Sequence, residues 1–196
     1  MFNRAFMMLP LLVAVAFVVG CGGGDSDEPD SAAAPASSSA VPFDRSFIDA
    51  MVPHHESAIE MAEAAKPRLT QPDLIEVADD IIASQQEEID RMLDWREEWF
   101  GSREVDPEGA AGLGLSEDEM GMDHGSMQDI ENADDVDKAF AQAMIPHHQG
   151  AIEMAKLAQE RGQHEEIKDL ANDIVDAQER EIEILMKHST GVHHGS

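Results

Sequence analysis

The chain has 196 residues, which leaves, once an exported leader is set aside, enough for one domain of ordinary size and too little for a second large core. Acidic residues outnumber basic ones 41 to 13 and the formal charge is -28, so the surface repels nucleic-acid phosphates and argues against a nucleic-acid partner. The single cysteine, Cys21, rules out an intrachain disulfide and a cysteine-rich metal site, and it leaves methionine as the soft ligand.

Residues 1–20 carry Arg4 and then an apolar run through Leu9, Leu11, Leu12, Val13 and Phe17 to Val19, the make-up of a secretory signal rather than a membrane span. Val18-Val19-Gly20-Cys21 resembles a bacterial lipobox, in which cleavage exposes the cysteine for acylation. Cys21 is then a lipid anchor, and the protein is exported and held on a membrane facing the periplasm or the cell exterior; a free thiol beside an ordinary cleavage site is the alternative. Residues 21–42 are Gly, Ser, Ala, Pro and acid with little to bury, which predicts a disordered tether reaching roughly 25 Å as a flexible coil.

The remainder, residues 43–188, predicts four helices at about 44–65, 73–99, 135–159 and 164–188, with a loop over 101–133 and a flexible His-containing tail at 189–196. The first helix opens at Asp44, an expected N-cap, and stops before Lys66-Pro67. Steps of 100° gather Phe47, Met51, His54, His55, Ala58, Met61, Ala62 and Ala65 on one face, opposite Asp49, Glu56, Glu60 and Glu63. Both histidines therefore belong to the core side. Pro53 lies within this stripe and predicts a kink there, unless the helix begins at the proline; Pro146 poses the same choice.

Thr70-x-x-Asp73 reads as a capping box for the second helix, whose inner stripe is Leu74, Ala78, Ile81, Gln85, Glu88, Met92 and Trp99. The loop is Gly-rich and acidic and carries its own cluster, Met120, Met122, His124 and Met127, either an accessory metal site or plain linker. The third helix places Phe140, Met144, His147, His148, Ala151, Met154 and Ala155 as the first placed their counterparts, and Gly162 supplies a stop. The tail ends in His193-His194, and His188 is a favourable charge at a helix end.

The third and fourth helices repeat the first and second. The block M-x-P-H-H-x-x-A-I-E-M-A runs from Met51 to Ala62 and again from Met144 to Ala155, an offset of 93, and at that offset Gln85, Glu88 and Ile89 meet Gln178, Glu181 and Ile182. Two such hairpins joined by a long crossover predict an all-α, ferritin-like four-helix bundle. Neutral imidazole with thioether and without inner cysteine leans towards copper, other transition metals remaining open. Ferritin-like di-iron sites need Glu-x-x-His, whereas here the inner pairs are Gln85-x-x-Glu88 and Gln178-x-x-Glu181, which argues against oxygen-activating di-iron chemistry.

These paired blocks, each followed by a Q-x-x-E-I helix, resemble the domain-of-unknown-function 305 family over about Phe43 to Lys187. The resemblance implies a ferritin-like bundle exported to the periplasm or cell surface, with some similar proteins binding copper. It implies Met51, His54, His55 and Met61 as motif residues in the first half and Met144, His147, His148 and Met154 in the second.

Three functions compete. The first is a membrane-tethered protein that sequesters or hands on copper, with Gln85, Glu88, Gln178 and Glu181 behind the ligands. The second is a metal-dependent redox enzyme at the same site, although no catalytic constellation stands elsewhere in the chain. The third is a helical interaction module in which the histidine pairs only close a core hydrogen-bond network with those four polar residues, meeting a basic partner through the acidic exterior.

Overall fold

The computed structural model describes residues 41–122 and 126–190; the leader, Cys21, most of the tether, His124 and His193-His194 lie outside the described residues. Those described are helical, with no strand among them: α1 is Phe43–Ala65, α2 Pro72–Phe100, α3 Ser126–Asn132, α4 Val136–Arg161 and α5 Glu165–Met186. The four long helices form a bundle of two hairpins, α1 with α2 and α4 with α5, joined by a long crossover.

Both helices that carry the histidine pairs continue through their prolines, so neither begins there: α1 starts ten residues before Pro53, and α4 ten before Pro146. The apolar stripes explain why. Phe47 and Met51 precede Pro53 and are fully buried, as are Phe140 and Met144 before Pro146. Burying four such side chains, at about 1.5–3 kcal/mol each, offsets the backbone hydrogen bond that each proline removes.

The crossover departs from the loop predicted over 101–133. It contains a 3₁₀ turn at Gly109–Leu113 and the short helix α3, and it buries Leu113, Met120 and Ile130. Arg68 secures the end of α3 by donating to the carbonyls of Ile130, Glu131 and Ala133 at 3.2, 2.9 and 2.5 Å, a cation placed where a helix C-terminus is negative. A buried ion pair ties down the beginning of the crossover. Arg96 Nε donates to Asp49 Oδ1 at 2.5 Å and its Nη1 donates to the Ser102 carbonyl at 2.7 Å.

Two of the expected caps act elsewhere. Asp44 is not the N-cap of α1, which is Pro42; it is fully buried in the first turn and accepts from the Gln163 and His164 backbone N–H groups at 2.9 Å each and from His164 Nδ1 at 2.6 Å. Its counterpart Asp137 accepts from Thr70 N at 2.8 Å and from the Thr70 hydroxyl. Thr70 therefore does not open a capping box with Asp73, and the N-cap of α2 is Gln71. Each inner helix thus uses its first-turn carboxylate to cap the outer helix of the other hairpin. His164 is held further by lying on Trp99, with ring centroids 3.8 Å apart and planes 3° from parallel.

This reciprocity sets α1 antiparallel to α4, since the start of each lies beside the end of the other. Asp44→Ala and Asp137→Ala each leave partly buried donors without an acceptor. Each is expected to lower the unfolding free energy by about 2 kcal/mol, read as a lower urea midpoint with an unchanged m-value. An unmoved midpoint in both would show that these contacts do not hold the hairpins together.

Candidate metal centre

Antiparallel α1 and α4 cross at their histidine pairs. The rings of His54 and His147 meet with centroids 3.8 Å apart, while His55 lies 6.4 Å from His54 and His148 lies 6.5 Å from His147. The tilts within the two pairs, 57° and 56°, show how closely the halves repeat. All four histidines are buried, at 0–3 % exposure.

The methionines of the motif are divided between the two ends of this layer. Met51 of α1 and Met154 of α4 share one buried cluster with Met92 and Met120, and Met61 and Met144 share the other. Antiparallel packing requires this division, because the methionine before one histidine pair lies at the same end as the methionine after the other. The motif is therefore not a set of four ligands per helix; each end of the layer receives one thioether from each half. Adjacent histidines do not face the same point on a helix. Consistently, no group of three or more His, Cys, Asp or Glu side chains among the described residues is disposed to hold a metal ion. A centre here needs thioether.

Glu88 and Glu181 stand behind the outer histidines. His55 Nε2 donates to Glu88 Oε2 at 2.7 Å and His148 Nε2 to Glu181 Oε2 at 2.6 Å, with both glutamate side chains 13 % exposed. His54 Nε2 donates to the Met120 carbonyl at 2.8 Å. In the neutral tautomer that donates from Nε2, Nδ1 keeps its lone pair, and a carboxylate behind an imidazole both orients the ring and raises its basicity as a ligand. The Nδ1 atoms of all four histidines are buried without a hydrogen-bond partner, as are His147 Nε2 and the side-chain carbonyls of Gln85 and Gln178. The polar network expected of a purely structural core is therefore half made: the glutamates are engaged and the inner nitrogens are not.

The electrostatics keep the two inner rings, His54 and His147, neutral. Burial first, then the neighbouring His55, push the pKa of His54 from 6.5 down to about 3, against an opposing contribution from the Met120 carbonyl. Burial, then the nearby His54, His148 and His55, hold His147 well below its usual value. Neutral imidazoles beside thioethers are a donor set that suits a soft cation such as Cu(I).

Glu181 also reaches the surface. It lines a cavity of about 560 Å³ between α2 and α5, together with Glu76, Asp80, Ser84, Glu87 and Arg180. The loop cluster is dispersed: Met120 and Met122 pack with Met51 and Met154, Met127 packs on the other cluster, and His124 is outside the described residues. His188 donates to Asp73 at 3.0 Å. What the sequence reading missed is the tertiary role of Asp44 and Asp137, for which their shared offset of 93 was the available signal, and the Met120 carbonyl, which has no side-chain signature.

A helical bundle with paired histidines at its centre and methionines at either end of them defines the class. The chain belongs to the Domain of unknown function family DUF305, whose pattern matches residues 44–188. Among solved structures, CopM in the Cu(I)-bound form is 33% identical with a TM-score of 0.64, covering 76% of this chain and 97% of that one. CopM in the apo form is 32% identical at a TM-score of 0.61, over 76% of this chain and 98% of that one. A DUF305 protein from Streptomyces coelicolor is 26% identical at a TM-score of 0.68, over 74% of this chain and 91% of that one. No curated protein matches the chain.

In the metal-free chain the buried neutral histidines make stability depend on pH. The unfolded chain takes up protons near pH 6.5 that native His54 and His147 refuse until far lower, so stability is complete above 6.5 and falls as the pH drops below it. Each histidine contributes a slope of up to about 1.4 kcal/mol per pH unit. Urea unfolding between pH 7.5 and 5 should show this loss, and His54→Gln/His147→Gln should flatten it. A flat profile in the unsubstituted chain would contradict the neutral buried state.

Proposed function

We propose that this protein is a cell-envelope lipoprotein that binds copper as cargo, for sequestration or transfer, through Met51, His54, His55, Met61, Met144, His147, His148 and Met154. The observation that carries this reading is the set of four buried Nδ1 atoms without partners in a layer whose Nε2 atoms are mostly engaged. Buried polar atoms are satisfied in native proteins as a rule, and here the unsatisfied Nδ1 atoms of His54, His55 and His148, whose Nε2 atoms donate, are lone pairs in a layer flanked by methionine. The likeness to CopM, solved with Cu(I), Cu(II) and silver bound, adds support.

Gln85, Glu88, Gln178 and Glu181 orient the ligands in this reading, and no turnover is required. The place in the envelope rests on the leader, on Cys21 as the acylated residue and on residues 21–42 as a tether. Among the described residues no helix is long and apolar enough to cross a membrane. Met120, Met122, His124 and Met127 are an accessory capture site at most, since the described members are spread over both core clusters.

A second reading has one observation in its favour. The His55–Glu88 and His148–Glu181 hydrogen bonds are those a structural polar core would make. Anaerobic Cu(I) titration against a competing chelator, with thermal unfolding at each step, separates the two. Free Cu(I) at a hundred times the dissociation constant should stabilise by about 2.7 kcal/mol, or roughly 5–10 °C for a domain of this size. Replacing Met51, Met61, Met144 and Met154 together by leucine, a volume-conserving change, should abolish that gain while leaving the chain folded. Absence of binding, or binding unchanged after alanine replaces all four histidines, would return the histidine layer to core architecture.

A further inference from the structure

The repeat makes the two halves of the histidine layer nearly equal. Ring distances within the pairs differ by 0.1 Å, 6.4 against 6.5, and the glutamate hydrogen bonds by the same amount, 2.7 against 2.6. One thing breaks the equality. His54 donates to the Met120 carbonyl, whereas both ring nitrogens of His147 are without a partner.

The segment 116–122 that delivers this carbonyl is a hydrogen-bonded strap. Met120 N donates to the Ser116 carbonyl at 3.0 Å, Gly121 N to Asp118 at 3.1 Å and Met122 N to Glu117 at 3.0 Å, while Ser116 N and its hydroxyl donate to Glu119 at 2.9 and 2.8 Å. The Met120 side chain is buried among Met51, Met92 and Met154, which fixes the strap from the inside.

The strap reaches His54 by lying directly on the backbone of α4. A Cβ at Gly150 would collide with the Met120 carbonyl and fall 2.6 Å from Gly121 N, and a Cβ at Gly121 would fall 2.9 Å from His147 Cα and collide with the Pro146 carbonyl. Gly121 is also left-handed, at φ 69, where glycine is favoured. In the other half, the position equivalent to Gly150 at the offset of 93 is Ser57. The single glycine thus marks the side on which the crossover docks.

We propose that the strap is a positioning element that makes the duplicated centre asymmetric: the Met120 carbonyl fixes His54 in its Nε2–H tautomer, and His147 is the exchangeable ligand. A carbonyl oxygen can only accept, so the nitrogen facing it carries the hydrogen and Nδ1 is committed as the donor atom to a soft cation. His147, with neither nitrogen committed, binds or releases through either. One half of the centre is preorganised and the other is adaptable, which suits a site that must both hold and hand on its cargo. The purpose rests on the copper reading; the geometry does not.

The test is long-range ¹H–¹⁵N correlation NMR of the histidine rings in the metal-free full chain, purified in detergent. His54 should appear as a single Nε2–H tautomer and His147 as an average of both. Gly150→Ala should release His54 into the same average and weaken Cu(I) binding roughly 10-fold or more, in the range of lost ligand-orienting contacts, whereas Ser57→Ala should change neither. An averaged or Nδ1–H His54 in the unsubstituted chain would overturn the proposal without recourse to any variant. A folded Gly150→Ala chain with the His54 tautomer intact would do the same. Because the tautomer is read without metal, a fixed His54 in a chain that binds no Cu(I) overturns the copper reading, whereas an averaged His54 in a chain that binds it overturns the strap.

Discussion

Two buried carboxylates determine how this molecule meets itself. Asp44 and Asp137 each leave their own helix and cap the outer helix of the opposite hairpin, across 119 to 120 and 66 to 67 residues of chain respectively. Neither hairpin is therefore complete alone, since the donors at the start of α2 and of α5 find their acceptor only in the other half. This exchange fixes the antiparallel register of α1 and α4. With that register, His54 lies on His147 and the methionines separate into two pairs, one at each end. A shift of one turn, about 5.4 Å, would separate the 3.8 Å ring contact and the layer would no longer exist.

The bundle was legible in the sequence because helix periodicity repeats the same face every few residues, and the repeat stated it twice. The inner histidines, their flanking methionines and the glutamates behind them follow from that face and from the offset of 93. The tertiary caps were not legible, for a physical reason. An aspartate in the first turn of a helix looks the same whether its oxygens turn back to its own backbone or reach a neighbour, and Thr70 with Asp73 makes a plausible local cap that the Asp137 contact displaces. The glycines and acids of the crossover suggest loop, although Leu113, Met120 and Ile130 are apolar residues that need burial. The strap depends on a carbonyl, which every residue has. Only the glycine at 150, where the first half of the repeat has Ser57, records where it docks.

The metal-free fold carries an internal cost that a purely structural core would not. Each buried polar atom without a partner costs about 1–3 kcal/mol, set against a net stability of about 5–15 kcal/mol for a whole domain, and this layer holds four such Nδ1 atoms, His147 Nε2 and two glutamine carbonyls. The fully buried Phe47, Phe140, Met51, Met61, Met144 and Met154 around it, together with the reciprocal caps, offset that cost. Gln85 and Gln178 are equally buried, yet they bring no relief to the Nδ1 atoms. A core in which every imidazole lone pair accepted a hydrogen bond would escape that cost, but it would leave none of them for a cation; the open layer gives up stability and keeps its lone pairs.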